Sequence, residues 1–521
     1  MTGSGEQRAQ RGWIGAIAGA ATLLAFLGAA QLAAVVSGPS SAPTIAIGQL
    51  VIAHVPLWLK DLAITTFGEH DKTALLSGVY VVAVVVAVGL GSLGRRRVAL
   101  AGIGLLSAVA VLAALTRPTA GPLWAVPALA GGLVAAGSYW LLTRAGGPRG
   151  SRVPSPGQPG SPGAADRLSR RRFLTLAGSV TAFGAATLVT GRTVVRGAYD
   201  AVASRAAVVL PRPTSSCPKV AGTSFDVPGL DSYITPNDRF YRVDTALVVP
   251  QLSTEDYRLR VHGMVEHPFE IGFDELLAMP TVERTVTLVC VSDPVGGPYL
   301  GNARWIGVPI RHLLERAGVR QGADQLFMTS SDGMTIGADL RAATADDAAM
   351  LAVGMNGRPL PFEHGFPVRA VIPGSYGYAS ACKWLVDMEV TTYEARTAYW
   401  VQRGYDRRGA IHLESKIDTP ASFASLHAGA VDVAGSAWLP GVGISRVQVK
   451  VDDGVWHDAT LAAVDSVDTW RLWRWRWDAT PGTHSITVRA VDARGRVQTA
   501  ASSGVVPGGA TGLQSVVVTV R

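Results

Sequence analysis

What most constrains this chain is the gathering of its apolar residues into long unbroken runs within the first 195 or so positions. A run of roughly 20 apolar residues can cross a hydrocarbon layer as a helix, because a helix satisfies its own backbone there. Four runs reach that length, Trp13–Val36, Leu75–Leu93, Val98–Leu115 and Leu123–Leu142, and a fifth follows at Phe173–Val189. The expected organisation is a four-span membrane region over 1–145, a linker over 146–172 and a fifth transmembrane helix over 173–190. The stretch Ile45–Phe67 is also apolar but carries His54, Pro56, Lys60 and Asp61, which predicts an interfacial or re-entrant helix.

Charge placement sets the orientation. Arg8 and Arg11 precede the first run, Arg95–Arg97 separate the second and third, and Arg144 to Arg172 lie between the fourth and fifth. With five spans all three sets fall on one side, which positive charge marks as cytoplasmic, and the C-terminal part lies outside the cell membrane. The net charge of +8 is explained by this topology rather than by a nucleic-acid-binding face. The linker Gly146–Ala165 is rich in Pro, Gly and Ser, which predicts a flexible connector. It runs into Ser169-Arg170-Arg171-Arg172-Phe173-Leu174, which resembles a twin-arginine export signal, with an ordinary stop-charge cluster as the plain alternative. Such signals serve proteins that fold around a cofactor before crossing. The five runs contain no histidine, since His54 and His70 fall in the first external loop, so no haem is expected within the spans.

Beyond position 215 the composition is that of a globular chain. Tyr257–Val265 alternates as a strand, Phe273–Met279 and Ile310–Ala317 read as helices, and Val282–Val291 returns to strand. Dense short strands with interspersed helices predict an α+β domain over 215–412. No Gly-rich nucleotide loop follows a strand, which disfavours NAD and ATP. The three cysteines, Cys217, Cys290 and Cys382, include no CxxC pair, so zinc ribbons, Fe–S clusters and covalent haem are not expected. At most one disulfide can form, with Cys217 and Cys382 the candidates. Cys290 ends the strand Thr285–Cys290 before Val291-Ser292-Asp293-Pro294-Val295-Gly296-Gly297. A cysteine so placed can present a thiolate to a metal, and can equally be a small buried hydrophobe.

Several further stretches occur in a telling order. Ser232-Tyr233-Ile234-Thr235-Pro236-Asn237 is followed by Phe240-Tyr241, then Glu363-His364-Gly365-Phe366-Pro367-Val368-Arg369, Lys383-Trp384-Leu385, and Tyr399-Trp400 with Gln402, Arg403 and Tyr405. Together with Cys290 they resemble the sulfite-oxidase-type molybdopterin-dependent oxidoreductases. The resemblance implies molybdenum held by one pterin dithiolene and the Cys290 thiolate, a soft donor suited to that metal. It implies cofactor contacts from Asn237, His364, Ser380 and the Phe240-Tyr241 backbone, and cations for the pterin phosphate in Arg369 and Lys383. It further implies an active-site phenol at Tyr405. Arg369 and Lys383 could instead be surface charges, His364 a satisfied core histidine and Tyr405 an ordinary loop tyrosine.

Two departures bear on substrate. Sulfite oxidases carry arginine six positions after the motif asparagine and five after the metal cysteine, where this chain has Val243 and Val295. Arg242 is adjacent but faces elsewhere if the segment is a strand. Without both arginines sulfite loses its charge pairing, and a small sulfoxide- or N-oxide-like substrate is expected, with sulfite oxidation or a non-catalytic displayed fold as the alternatives. Residues 413–521 alternate as strands, with Asp452-Asp453-Gly454 as a turn and Trp473, Trp475 and Trp477 on one face, which predicts an all-β immunoglobulin-like sandwich. It resembles the dimerisation domain of the same family, which makes a homodimer possible. Without haem or cluster ligands, electrons must pass to a separate quinone-linked or soluble carrier.

Overall fold

A computed structural model describes residues 3–56, 59, 62, 66, 67, 71–145 and 162–521. The chain divides into two compact units, residues 1–200 with 245–249, and 201–244 with 250–521.

The first unit is helical. Its helices are α1 (Gly3–Ala33), α2 (Pro43–His54), α3 (Asp71–Ser92), α4 (Arg96–Leu115), α5 (Val126–Ala145) and α6 (Pro162–Ala198). Five stretches are long and apolar enough to cross a membrane by length and composition: Gly12–Val36, Lys72–Ser92, Arg96–Leu115, Pro122–Ala145 and Arg170–Ala207. Helix α1 packs against α3, α5 and α6. It does so backbone to backbone, because a Cβ at Gly15 would run into the Gly91 carbonyl and one at Gly28 into that of Gly184. Helix α3 leaves Val81, Val82 and Val85 more than 60% exposed, apolar surface that water would penalise.

Two expectations are corrected here. Helix α2 ends at His54, whose Nδ1 donates to the Leu50 carbonyl at 2.9 Å, so the described helix is shorter than Ile45–Phe67. His70 and most of 57–70 lie outside the described residues, as does the linker over 146–161. From Pro162 onward the chain is helical, so Arg170–Arg172 sit inside α6 rather than at the end of a flexible linker, and the helix runs on to Ala198. Proline at the first helical position and the Ala-, Leu- and Arg-rich stretch after it favour helix, which the Pro/Gly count of the linker masked.

The second unit begins with α7 (Val202–Ala207). One sheet holds β1 (Ser215–Ser216), β4 (Val282–Val289), β5 (Leu300–Pro309), β8 (Met350–Met355) and β10 (Arg369–Val371) in that order, with β9 (Arg358–Pro359) on β8. The other runs β3 (Phe269–Gly272), β2 (Arg258–Gly263), β11 (Leu385–Thr391), β6 (Gln325–Ser330), β7 (Thr335–Asp339). Pairing is antiparallel except for β1–β4 and β2–β11, an α+β arrangement. After α8 (Phe273–Leu277), helix α9 (Ile310–Ala317) buries Ile310, Leu313, Leu314 and Ala317 in one core with Leu259, Val261, Met388 and Val390. Each such Leu or Ile contributes ~1.5–3 kcal/mol, and Gly318 at φ 67° stops the helix.

Residues 241–246 form no strand, so the alternation expected of Arg242 does not apply, and its Nε donates to Asp244 at 2.9 Å instead. All three cysteines are free. Cys382 is fully buried in the core of the second sheet while Cys217 follows β1 on the edge of the first, so the Cys217–Cys382 bridge does not form.

The C-terminal part is a sandwich. One sheet orders β12 (Glu414–Thr419), β14 (Gly429–Trp438), β18 (Arg471–Ala479) and β17 (Thr460–Leu461). The other orders β13 (Ser425–Leu426), β20 (Ser515–Val520), β19 (Gly482–Asp492), β15 (Ile444–Val451) and β16 (His457–Asp458). Trp473, Trp475 and Trp477 line up opposite Gly435, Val433 and Val431 of β14 and pack into the interior between the sheets.

Candidate active site

Strand β4 ends one residue before Cys290, and the turn that follows is held by its own side chains. The Cys290 amide donates to the Tyr299 carbonyl at 2.9 Å, and the Asp293 amide to the Cys290 carbonyl at 3.1 Å. The Tyr299 amide then donates to Asp293 Oδ1 at 2.7 Å, closing the loop around a buried carboxylate. Cys290 Sγ sits 2.9 Å from the Ser292 hydroxyl. Burial pushes the Cys290 thiol up, while the Ser292 contact and the Lys383 charge pull it down. A bound cation would add to that pull.

The second wall comes from the segment before β10. Gly365, at φ 108°, turns the chain so sharply that a Cβ there would lie 3.0 Å from that of Arg369 and 3.1 Å from Lys383. This turn brings His364, Arg369 and Lys383 together. His364 Nε2 donates to the Asn237 carbonyl at 3.1 Å, which leaves Nδ1 as an acceptor. Burial, together with the nearby Arg369 and Lys383, pushes His364 down to about 4, so it is neutral at physiological pH. Arg369 is 5% exposed. Its Nη1 donates to the His364 carbonyl at 3.2 Å, its guanidinium lies 5.0 Å from the Trp305 ring centre, and its buried Nε has no partner among the described residues. Burial brings it down to about 10. Lys383 Nζ donates to Asp244 at 2.8 Å and to the Glu363 carbonyl at 3.1 Å, and burial outweighs that pairing to leave it at about 8.

Arg242 and Lys383 both pair with one buried carboxylate, Asp244, while Arg369 beside Lys383 has no ion pair among the described residues. Buried charge is costly unless paired, so this cluster calls for a further anion. Among the described residues no group of three or more His, Cys, Asp or Glu side chains could hold a metal ion. The surplus charge, the orphaned Arg369 Nε and the lone thiol together fit a pterin with an anionic phosphate and its own sulfur donors.

The remaining residues that the resemblance implies have the following contacts. Asn237 Nδ2 donates to the Met355 carbonyl at 3.2 Å, and its Oδ1 accepts from Asn356 at 2.7 Å. Ser380 closes α10 (Gly377–Ser380), its hydroxyl donating to the Ser375 and Tyr376 carbonyls at 2.9 and 3.0 Å. Phe240 is buried, stacking on Tyr241 at 5.3 Å and meeting His364 edge-on at 5.5 Å. Tyr405 packs against Trp400 and Tyr378. The phenol brought toward Cys290 is that of Tyr241, whose hydroxyl lies 3.7 Å from the place of a Cβ on Gly377. Its ionisation is opposed first by burial and then by the Cys290 charge.

Sequence reasoning passed over four groups that matter here. Asn356, at φ 52°, donates to Thr235 and Asn237 and accepts from the Arg304 amide, tying the asparagine motif to β8. Asp244 neutralises Lys383, and its position beside the arginine-less Val243 was the only available signal. Asp293 and Glu414 form a buried acidic pair: burial pushes Asp293 to about 6, and burial plus Asp293 pushes Glu414 to about 8. The sandwich also reaches the Cys290 loop. The Asp406 amide donates to the Pro507 carbonyl at 3.0 Å, Gln514 packs on Gly296, and Gly512 faces Val295. An open cleft of about 550 Å³ elsewhere on this unit, lined by Arg311, Leu314, Glu315 and Asp347, holds none of these side chains.

Residues 246–400 match the family described as oxidoreductase molybdopterin binding domain, and 414–488 match the bacterial Ig domain. The chicken sulfite oxidase is 31% identical over 318 residues, covering 51% of this chain and 68% of that protein. An uncharacterized oxidoreductase of Bacillus subtilis, YuiH, is 35% identical over 153 residues, 29% of this chain and 74% of that protein. The chain belongs to the oxidoreductase molybdopterin-binding family. It spans about half the length of the mouse mitochondrial sulfite oxidase, 31% identical over 291 residues that cover 47% of this chain and 53% of that one. The match to this molybdopterin-binding family covers Cys290, the Gly365 turn and Lys383, while Arg242 and Asp244 lie just before it.

Proposed function

We propose that this protein is a membrane-anchored molybdenum-cofactor oxidoreductase that acts outside the cytoplasmic membrane on a small, neutral oxygen-atom donor such as a sulfoxide or N-oxide. The observation that carries the cofactor assignment is Arg369, a buried cation with an unpartnered Nε beside Lys383 and Cys290. Arg369 and Lys383 hold the pterin phosphate, His364 Nδ1 accepts from the pterin edge, and Cys290 supplies the thiolate. When bound, the cofactor supplies two-electron redox chemistry and an exchangeable oxygen site. The chain would hold the cofactor through these residues, keeps His364 neutral, and turns the Tyr241 phenol toward Cys290, where it would serve as a proton donor. Tyr405, packed on Tyr378 and Trp400, supplies a second active-site phenol.

Substrate class follows from the other wall. Val243 and Val295 stand where sulfite oxidases carry arginines, and Gly512 of the sandwich faces Val295. Asp293 lies within the same turn. A doubly charged anion gains no pairing there, whereas a neutral oxide loses none. Five apolar helices and the arginine-rich loops support the anchored, outward-facing topology, and the Ser-Arg-Arg-x-Phe-Leu sequence supports export after cofactor insertion. A separate quinone-linked or soluble carrier supplies the electrons.

The test is molybdenum per chain in detergent-purified protein from a cofactor-competent host, with Cys290→Ser beside wild type. Near-stoichiometric metal in wild type and an altered or absent metal spectrum in the variant are expected. Wild type free of molybdenum would overturn the assignment. Turnover of a sulfoxide panel, measured against sulfite, then decides the substrate class.

A further inference from the structure

One end of the helical unit concentrates arginines. Arg95, Arg96 and Arg97 stand at the start of α4, Arg144 at the end of α5, and Arg170, Arg171 and Arg172 near the start of the apolar part of α6. A single apolar cluster, containing Ala18, Ala99, Tyr139, Leu142 and Phe173, ties α1, α4, α5 and α6 together at this level. The seven guanidinium groups therefore share one end of the bundle. Six of them are exposed and Arg96 is half-buried, and none has an ion pair among the described residues.

Two tryptophans order part of this charge. Arg96 and Arg144 both lie over Trp140, with guanidinium carbons 5.3 and 3.7 Å from its ring centre, and Arg170 lies 5.3 Å from that of Trp13. A guanidinium stacked on an indole keeps its N–H edges free, in the planar fork that binds phosphate oxygens. Two such groups on one indole repel each other unless an anion sits between their edges. Tryptophan at this depth marks the headgroup level of a spanning bundle.

We propose that this end of the bundle binds the phosphate of anionic phospholipid headgroups, with Arg96–Trp140–Arg144 and Trp13–Arg170 as its two clamps. The proposal rests on the membrane-spanning reading and is independent of the molybdenum chemistry. It also gives the arginines of the export-like sequence a lasting role, since in the folded protein Arg170 is stacked on Trp13 rather than held in a mobile leader.

The test uses full-length protein in mild detergent, offered equal phosphatidylglycerol and phosphatidylcholine, with bound lipid counted by native mass spectrometry. Two charge-assisted contacts predict a preference for phosphatidylglycerol of about tenfold or more. Arg96→Gln/Arg144→Gln should lose most of it, Arg96→Lys/Arg144→Lys should keep part, and Arg192→Gln, further along α6, should keep all. Thermal midpoints of the variants identify any that misfold, in which case the Arg170→Gln variant carries the comparison. Equal retention of both lipids by wild type, or an undiminished preference in the glutamine variants, overturns the proposal. So does loss of bound lipid to inorganic phosphate at matched concentration, which would assign the arginines to a free anion. Molybdenum measured on the same samples reports separately on the enzymatic reading. Wild type that stays in solution without detergent would remove the membrane reading, and this proposal with it.

Discussion

Replacing Arg369 with methionine separates a cofactor-binding cation from a structural one. Lowering a guanidinium from its usual 12.5 to about 10 corresponds, at ~1.4 kcal/mol per pH unit, to ~3 kcal/mol of strain on the charged folded state. The sign follows from the direction: the folded value is depressed, so the penalty is complete below about 10 and fades only above it. Methionine forfeits the 3.2 Å bond to the His364 carbonyl and the contact with Trp305, together ~1–2 kcal/mol. The cofactor-free Arg369→Met protein should therefore be as stable as wild type or more stable by ~1–2 kcal/mol, a rise of roughly 2–6 °C in melting midpoint. The same variant should retain no molybdenum when made in a cofactor-competent host. The assay is tryptophan fluorescence during heating at one fixed scan rate, pH 6 to 8, on protein from a host lacking the cofactor pathway. A clear drop in the cofactor-free midpoint would show that Arg369 holds the fold together rather than waiting for an anion.

Other consequences can be checked alongside. Glu414 keeps its proton up to about 8 when folded but releases it near 4.5 when unfolded, so folding is penalised by ~1.4 kcal/mol per pH unit between those values. Glu414→Gln should thus raise the melting midpoint at pH 8 and leave it unchanged at pH 4.5, and a pH-independent effect would contradict the buried-acid assignment. Lys383, lowered to about 8, is charged below that pH and neutral above it, so loading of cofactor-free protein should weaken as pH rises through about 8. Lys383→Met should remove that pH dependence along with most of the loading. Val243→Arg/Val295→Arg should raise kcat/KM for sulfite by about 10–100-fold, from one or two charge-assisted contacts of ~1.5–3 kcal/mol. Unchanged sulfite turnover in a metal-loaded double variant would mean that other groups exclude sulfite.

What was legible in the chain was whatever local periodicity or short spacing encodes. The apolar runs marked the long helices, and Ile310–Ala317 has the helical limits its pattern predicts. The alternating tryptophans of β18 fall inside the sandwich because a two-residue period places them on one face. Cys290 and the Gly365 turn were likewise readable, being contiguous motifs. The groups that complete the site were not, because they meet through the fold. Asp244 reaches Lys383 across 139 positions, and Asn356 reaches Asn237 across 119. Tyr241 was legible only as backbone, since nothing in its neighbours shows that its ring turns toward Cys290. The start of α6 was misread for a different reason: the Pro/Gly-rich linker dominates its window, while helix propensity resumes at Pro162.

The two sides of Cys290 differ in charge, and that difference carries information about what each side meets. Toward β10 stand Arg242, Arg369 and Lys383 against Asp244, a surplus of cations that only an anion relieves. Toward the sandwich stand Asp293, with Oδ2 unpartnered, and Glu414, both held partly protonated by burial. Lys416 is the cation near Asp293, and it is already committed to Asp231 and Asp418 at 2.7 and 2.9 Å. An anionic substrate entering there would meet acids with no free cation, and would raise their proton affinity further. The valines at 243 and 295 and the buried acid pair therefore act in the same direction, against a doubly charged anion. Reversing that preference takes both changes, so Val243→Arg/Val295→Arg combined with Glu414→Gln should accept sulfite better than the arginine pair alone, by more at pH 8 than at pH 6. Equal gains at the two pH values would show that the acids do not reach the substrate.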